Sequence, residues 1–359
     1  MNYHIMHKDE IIALANEIGI TRILKKELCP ACFAVGMPLE YWLESRCVDV
    51  HRSHSRQLFK ALRLRTDAKT EQLIEVGHGI SITDNWWVQK KDENLSFSDL
   101  REYNERIADI ALYGSSASAS DITRGYKELG TVGSYEKCWK YIGNAWYMYK
   151  QGSTAELISE YYSFQFLKAM NAPVAEYEVH KGVTKETGLE YVYMVSKDFT
   201  NNAEYDFEPF CNYFSDHEEP EYILTRLDKR FINDYIMMLF YDALLYNGDR
   251  HNQNVGFMRD STSGEIIGLS PYFDYNLALV SAGIPRIDGE KGNLYVNSFL
   301  ENRICCDVLR NHFPDRNKIS NAVSDATSVC RKVFEISSFN YSLVENYILD
   351  ACQYLSERL

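Results

Sequence analysis

The hydrophobic positions along the chain are spaced in two ways, and the changes of period mark its organisation. From the start to about residue 115 the spacing is that of short amphipathic helices. MNYHIMHKDEIIALANEIG reads as the first, SHSRQLFKALRL and TEQLIEVG as the next, and SFSDLREYNERIADIALYG opens on a Ser96-x-x-Asp99 capping box. Between them DNWWVQK is a brief aromatic strand. SSASAS, 115–120, is a small-residue patch suited to a linker or a domain boundary.

Beyond the patch the period shortens. EKCWKYIGNAWYMYK predicts two strands around a Gly143-Asn144 turn, TAELISEYYSFQFLKAMN a helix, and AEYEVH and LEYVYMVSKDF further strands. Together they predict a small α+β layer. From about residue 220 the helical period returns. RFINDYIMMLFYDALLYN is apolar nearly all round, the mark of a helix buried on every side. YSLVENYILDACQYLSERL predicts a last helix with a Ser342-x-x-Glu345 cap. The expectation is three parts: a mostly helical accessory domain at 1–115, a β-rich layer at 116–200 and a helical part at 201–359.

Composition narrows the function. With 359 residues, 45% hydrophobic and 13% aromatic, the chain has material for several folded cores. A net charge of −13 argues against direct nucleic-acid binding, which needs clustered Lys and Arg. No apolar run reaches the roughly 18 residues of a membrane span, and the start lacks the layout of a signal peptide. Nine cysteines without a framework suit reduced thiols and a cytoplasmic setting.

The chemistry concentrates in NGDRHNQNVGF, Asn247 to Phe257, directly after the buried helix. Side chains there emerge from a rigid base. NVGFMRD and EIIGLSPYFD flank STSG as a hairpin, and a turn at Thr262 and Ser263 sets Asn254 opposite Pro271, with Asp274 three positions beyond. That folds Asn254 and Asp274 toward one end, beside Asp249. Oxygen ligands so gathered suit Mg²⁺, which accepts few protein ligands. Asp249 would orient or accept the proton of an attacking hydroxyl, while Asn254 and Asp274 hold the metal, a division that phosphoryl transfer requires. The spacing Asp-x-x-x-x-Asn is that of the catalytic loop of protein kinases. Upstream, Lys150 ends the strand AWYMYK and suits ATP phosphates. Glu160 would be its ion-pair partner, with Glu156 as rival. Gly133 and Ser134 in GTVGSYEK would form a phosphate loop, and Met194 to Ser196 would offer hinge groups to a purine.

In these residues the chain resembles the HipA-like serine/threonine kinases, whose two-lobed fold is that of protein kinases and, more remotely, of phosphatidylinositol kinases. The resemblance rests on NGDRHNQN, the Asp of YFDYN, YMYK and SEYYSFQFLKAM, and covers about residues 125 to 359. It implies a catalytic Asp249, a supporting His251, metal ligands Asn254 and Asp274, and ATP on Lys150. It further implies transfer to Ser or Thr of a protein substrate, toxin behaviour in several members, an antitoxin or regulatory partner through the N-terminal domain, and autophosphorylation at Ser134. The chain lacks a full G-x-G-x-x-G and has GDRH and FDYN in place of HRD and DFG. These departures leave open a lipid or small-molecule acceptor, or a nucleotide-binding regulatory module without turnover.

Other features have plainer readings. CPAC at Cys29 to Cys32, with Cys47, His51 and His54 downstream, is one C-x-x-C without a second pair, so packed thiols are preferred to zinc. Cys305-Cys306 reads as buried filling, and Trp86 and Trp87 as aromatic core.

Overall fold

The first segment is a hairpin, where the sequence pattern suggested a helix. Strands β1 (Asn2–His7) and β2 (Glu10–Asn16) pair antiparallel, and Lys8 takes the turn with φ 50°. The cause is tertiary. β1 lies inside a four-stranded sheet of order β3-β2-β1-β4, with β3 (Ile20–Ile23) on the far edge and β4 (Trp86–Lys90) pairing Tyr3 with Lys90 and His7 with Trp86. Such short strands carry too few positions for a helical and a strand period to be told apart, and the partner strand decides.

The computed structural model describes residues 2–16, 18–48, 52, 54–65, 67, 69–114, 125–130, 135–183, 188, 190–215, 218–283, 294–335 and 339–359. After β3 come helices α1 (Ala31–Ala34), α2 (Leu39–Glu44), α3 (Ser55–Ala61) and α4 (Thr70–Gly77), then β4, α5 (Phe97–Arg101) and α6 (Glu105–Tyr113). The Ser96–Asp99 capping box is formed. The chain leaves helical geometry at Glu102, with ψ 128°, and starts again where Asn104 accepts the Ile107 N–H. Next come β5 (Lys137–Ile142), β6 (Ala145–Lys150), α7 (Thr154–Ala169), β7 (Tyr177–Val183), β8 (Glu190–Lys197) and β9 (Tyr205–Pro209). The rest comprises α8 (Pro220–Arg226), α9 (Ile232–Leu244), the strands β10 (Gly256–Asp260) and β11 (Ile266–Leu269), and α10 (Leu294–Glu301), α11 (Arg303–His312), α12 (Arg316–Phe334) and α13 (Tyr341–Arg358). The cap of α13 is Asn340, two positions before the expected Ser342, whose N–H it binds. The fold is α+β with antiparallel sheets, the further two being ordered β5-β6-β8-β7 and β11-β10-β9.

The chain divides into two compact units, each assembled from separate stretches of sequence. The first is Met1–Gln151, His180–Glu208 and Phe257–Ile267; the second is Gly152–Val179, Pro209–Gly256 and Gly268–Leu359. The division separates α7 from the strands that precede it.

In the first unit, Tyr3, Ile5, Ile12, Trp42, Trp86 and Val88 form one core, and it includes Cys29 and Cys32. A second joins Leu58 of α3 and Ile107 and Ala111 of α6 to Cys138, Tyr193 and Val195 of the second sheet. Trp87 lies in a third, with Trp139 and Trp146. All nine cysteines are free thiols. Among the described residues no group of three His, Cys, Asp or Glu could hold a metal, and Cys29 and Cys32 of CPAC are buried in the first core. Cys305 and Cys306 are buried as well.

In the second unit, α9 is central, touching α10, α11 and α13, while α7 lies along α12 with the Tyr162 hydroxyl bonded to the Val323 carbonyl. Buried residues recur all round α9, from Tyr235 and Ile236 to Tyr241 and Leu244. Burying each such side chain stabilises by roughly 1.5–3 kcal/mol. Among the described residues no helix is long and apolar enough to cross a membrane.

One buried acid makes stability depend on pH. Glu128 is 2% exposed and accepts the Trp139 N–H at 2.9 Å. Burial raises its carboxyl from 4.5 to about 8, against the opposing pull of Arg52 and Lys140. The folded chain thus holds a proton there that the unfolded chain releases near 4.5. This contribution to stability is complete below that value and declines as pH climbs toward 8. Glu128→Gln should therefore raise the melting temperature at alkaline pH, by an amount corresponding to ~3 kcal/mol, and lose that advantage near pH 5. Parallel melting curves across the range would contradict the account.

Candidate functional site

The helix α9 carries an acid inside its apolar last turn, and the polar segment that follows is built on it. Asp242 is 4% exposed. Its carbonyl accepts the Asn247 N–H and its Oδ1 accepts Asn247 Nδ2, both at 2.9 Å. Tyr246, at φ 48°, provides the reversal this requires. Arg250 then returns over the helix end and holds the same carboxylate by two nitrogens, Nε at 2.9 Å and Nη2 at 3.0 Å. Both side chains are 6% exposed.

The other face of the guanidinium fixes two distant stretches of chain. Arg250 Nη1 donates to the Asn254 carbonyl at 2.7 Å and to the Phe273 carbonyl at 2.8 Å. Its planar group lies 4.8 Å from the Tyr275 ring centroid. Burial by itself would lower the guanidinium's affinity for its proton, but the Asp242 carboxylate beside it reverses this and holds Arg250 above the ordinary arginine value.

The expected trio lies around this clamp. Asp249 accepts the His251 N–H on its carbonyl at 2.9 Å and donates its own N–H to Asn247 Oδ1 at 3.3 Å. Asn254 is 6% exposed and gives its Nδ2 to the Asp249 carbonyl at 3.1 Å, so its oxygen is on the other branch of the amide. Asp274 stands between the Phe273 carbonyl that Arg250 holds and the Tyr275 ring beneath it. Its φ is 62°, in the left-handed region, and its N–H donates to the Tyr177 hydroxyl at 3.2 Å. The donors on offer are carboxylate and carboxamide oxygens, the set a hard divalent cation takes.

The hairpin that was expected to bring Asn254 toward Asp274 is present. Asp260 N–H bonds the Glu265 carbonyl across a Ser261–Gly264 turn. At its base Ser270 N–H bonds the Gly256 carbonyl, one position out of the register extrapolated from Thr262 and Ser263. What joins its two ends near the site is the Arg250 clamp, which strand pairing alone does not supply.

The remaining candidates are distributed as follows. His251 is exposed, and its Nδ1 accepts the Gln253 N–H at 3.2 Å. Lys150 closes β6, buried at 9% exposure, opposite Lys137 and Met194 and 5.8 Å from the Tyr135 ring. Met194 is 1% exposed and Ser196 half-buried on β8, a strand flanked on both sides by β6 and β7. Glu160 is 2% exposed on α7. Its rival Glu156 closes the α7 capping box, binding the Ser153 N–H at 2.6 Å. Gly133 and Ser134 lie outside the described residues, as do 115–120 and His51. Lys150 belongs to the first unit and Glu160 to the second.

Arg250, Asp242 and Tyr177 were not singled out from the sequence. A signal for the first two was available: an aspartate within the apolar run IMMLFYDALLY must be buried, and a buried acid needs a cation close by.

A HipA structure from Shewanella oneidensis, solved with HipB and operator DNA, matches with a TM-score of 0.54 at 11% identity, over 99% of this chain and 97% of that one. The chain shares the fold of HipA. The Helicobacter pylori proinflammatory kinase CtkA matches with a TM-score of 0.42 at 22% identity, over 62% of this chain and 90% of that one. No protein-family model and no curated protein matches the sequence.

Removing the clamp should be expensive. Arg250→Ala strands the buried Asp242 carboxylate and two carbonyls, and should destabilise the chain by about 3–5 kcal/mol. Denaturant unfolding of Arg250→Ala, Asp242→Ala and the double variant tests the pairing. The double variant should be markedly more stable than the sum of the single losses, and strict additivity would refute it.

Proposed function

We propose that the chain is an ATP- and Mg²⁺-dependent phosphotransferase of HipA-like type, acting on Ser or Thr of a protein substrate. The observation that carries this reading is the Arg250 clamp, which fixes Asn254 and the 273–275 stretch together next to Asp249. Asp249 orients the acceptor hydroxyl and takes its proton. Asn254 and Asp274 hold the divalent cation, which when bound neutralises charge on the phosphate oxygens. His251 braces the loop, and Lys150, with Glu160 as partner, meets the phosphates of ATP. Gly133 and Ser134 form the phosphate loop, Ser134 being the site of self-inactivating phosphorylation, and Met194 and Ser196 contact the purine.

The expected three-part organisation belongs to the same proposal: an accessory domain at 1–115, a small lobe at 116–200 and a helical lobe at 201–359 in a two-lobed kinase arrangement. The HipA of the matching structure was solved with HipB. By analogy the accessory domain receives an antitoxin-like partner, and the chain acts as a cytoplasmic toxin.

Two oxygen-bearing side chains are few for most metals but sufficient for Mg²⁺, which keeps much of its water and binds the nucleotide's phosphates as well.

Transfer of labelled γ-phosphate from ATP, to the chain itself or to a generic protein, tests the proposal. Asp249→Ala should lower the rate about a thousandfold while leaving ATP binding intact. A chelator should stop transfer and added Mg²⁺ restore it. Equal rates for wild type and Asp249→Ala, with ATP bound normally, would end the kinase reading. Phosphate appearing on an inositol lipid but on no protein would replace the acceptor and keep the chemistry.

A further inference from the structure

Tyr177 is a buried residue that the proposed chemistry leaves unused, and it touches the proposed metal ligand. Its position is set by several independent contacts. The chain before it runs parallel to the stretch that leads into Asp274, through the bridge Val174–Tyr272. Tyr272 N–H bonds the Pro173 carbonyl at 2.7 Å, and Ala175 N–H bonds the Tyr272 carbonyl at 2.9 Å. The Tyr177 ring packs edge-on against Phe164 of α7, with centroids 5.7 Å apart. So placed, the hydroxyl oxygen accepts the Asp274 N–H at 3.2 Å. Its own proton goes to the Glu160 carboxylate, and burial together with Glu160 keeps the phenol neutral by raising it well above the ordinary tyrosine value.

We infer that Tyr177 is a positioning residue for the cation site: its hydroxyl fixes the backbone of Asp274 in the left-handed conformation that presents the carboxylate, and joins it to Glu160 on α7. This rests on the phosphotransferase reading and extends it. The backbone conformation is the reason such a device is needed. At φ 62° a non-glycine residue stores strain, and it persists only where neighbouring contacts over-determine it. The two contacts fall on opposite edges of the peptide unit that leads into Asp274: its Phe273 carbonyl is held by Arg250 and its Asp274 N–H by Tyr177. Without the second bond the residue is free to relax toward an ordinary conformation, which swings the carboxylate away.

A second tie runs along the same helix. The Ser281 N–H bonds the Ser159 hydroxyl at 3.1 Å, and the Ser281 hydroxyl bonds the Asn276 carbonyl at 2.5 Å. Consecutive residues of α7 thus meet this region: Ser159 bonds the segment that follows Asp274, and Glu160 reaches Asp274 through the Tyr177 hydroxyl. The helix carrying Glu160 and the segment carrying the metal ligand are linked at two points, so a shift of α7 is transmitted to the carboxylate.

Tyr177→Phe in the full chain tests the inference, since it removes the hydroxyl and keeps the ring. Two measurements are needed: Mn²⁺ binding by electron paramagnetic resonance in the presence of a non-hydrolysable ATP analogue, and the Mg²⁺ dependence of phosphoryl transfer. Loss of a group that orients a ligand should weaken Mn²⁺ about tenfold and raise the half-saturating Mg²⁺ similarly, with ATP affinity in the absence of metal unchanged. A lower melting temperature with unshifted Mn²⁺ affinity would mean a purely structural tyrosine and overturn the inference. If wild type and variant bind Mn²⁺ and transfer phosphate alike, the inference falls and the kinase reading stands. If wild type itself binds no Mn²⁺ and transfers no phosphate, both fall. Should Tyr177→Phe not fold, Glu160→Gln replaces it, the Mn²⁺ titration being read alone. A weakening of roughly two- to threefold is expected, and no change overturns the inference.

Discussion

The arrangement of the second unit depends on one buried cation. Arg250 is enclosed, and an enclosed charge is tolerable only if every donor finds an acceptor. Its nitrogens divide between the Asp242 carboxylate and the carbonyls of Asn254 and Phe273, and its face lies on Tyr275. The helix end, the polar loop and the return of the hairpin are therefore not three separately stable pieces. Moving any one of them leaves a buried charge or a buried carbonyl without its partner, at a cost of several kcal/mol. Planarity matters here: a guanidinium presents several donors in one fixed fork, which a lysine ammonium on a flexible stem does not.

The clamp and its satellites draw heavily on backbone groups. Asp249 shows the pattern. Its N–H goes to Asn247, and its carbonyl takes both the His251 N–H and the Asn254 amide. Asp274 is fixed in the same way, by its own N–H and by the carbonyl before it. These bonds set the main chain of both residues within the folded chain itself. That is the physical content of preorganisation: the bonds that set the geometry are not broken when a ligand arrives.

Much of this was legible in the sequence, and what was not has identifiable causes. The strand pair around Gly143-Asn144, the helices α7 and α9 and the hairpin after Asn254 could be read because their patterns are long or carry distinctive turns. The opening strands could not, since Ile5 and Ile12 are buried by a partner at Trp86–Lys90 that lies far along the chain. Hairpin geometry gave the expectation that Asn254 and Asp274 come to one end beside Asp249, but it did not reveal the clamp that joins the ends. Sequence displays Arg250 as one charge among several and does not state that its partner is eight positions back inside a helix. Tyr177 was less legible still. It reads as an ordinary strand residue, and only the parallel bridge at Val174 and Tyr272 brings its hydroxyl to Asp274.

The same reasoning explains how a backbone can match over 99% of this chain at 11% identity. The constraints found here fall on few positions. A central helix must be apolar all round, and Val, Ile, Leu, Met and Phe satisfy that in many combinations. The polar constraints are narrower but local: an acid in the last turn of α9, an arginine eight residues later, and the asparagines that turn the loop. Sequence comparison sums over all positions, and most core positions accept several apolar side chains. Backbone comparison responds to the path of the chain, which many apolar combinations can support. The clamp of this chain is more demanding than its core, because each of its donors needs an acceptor within the same enclosed space.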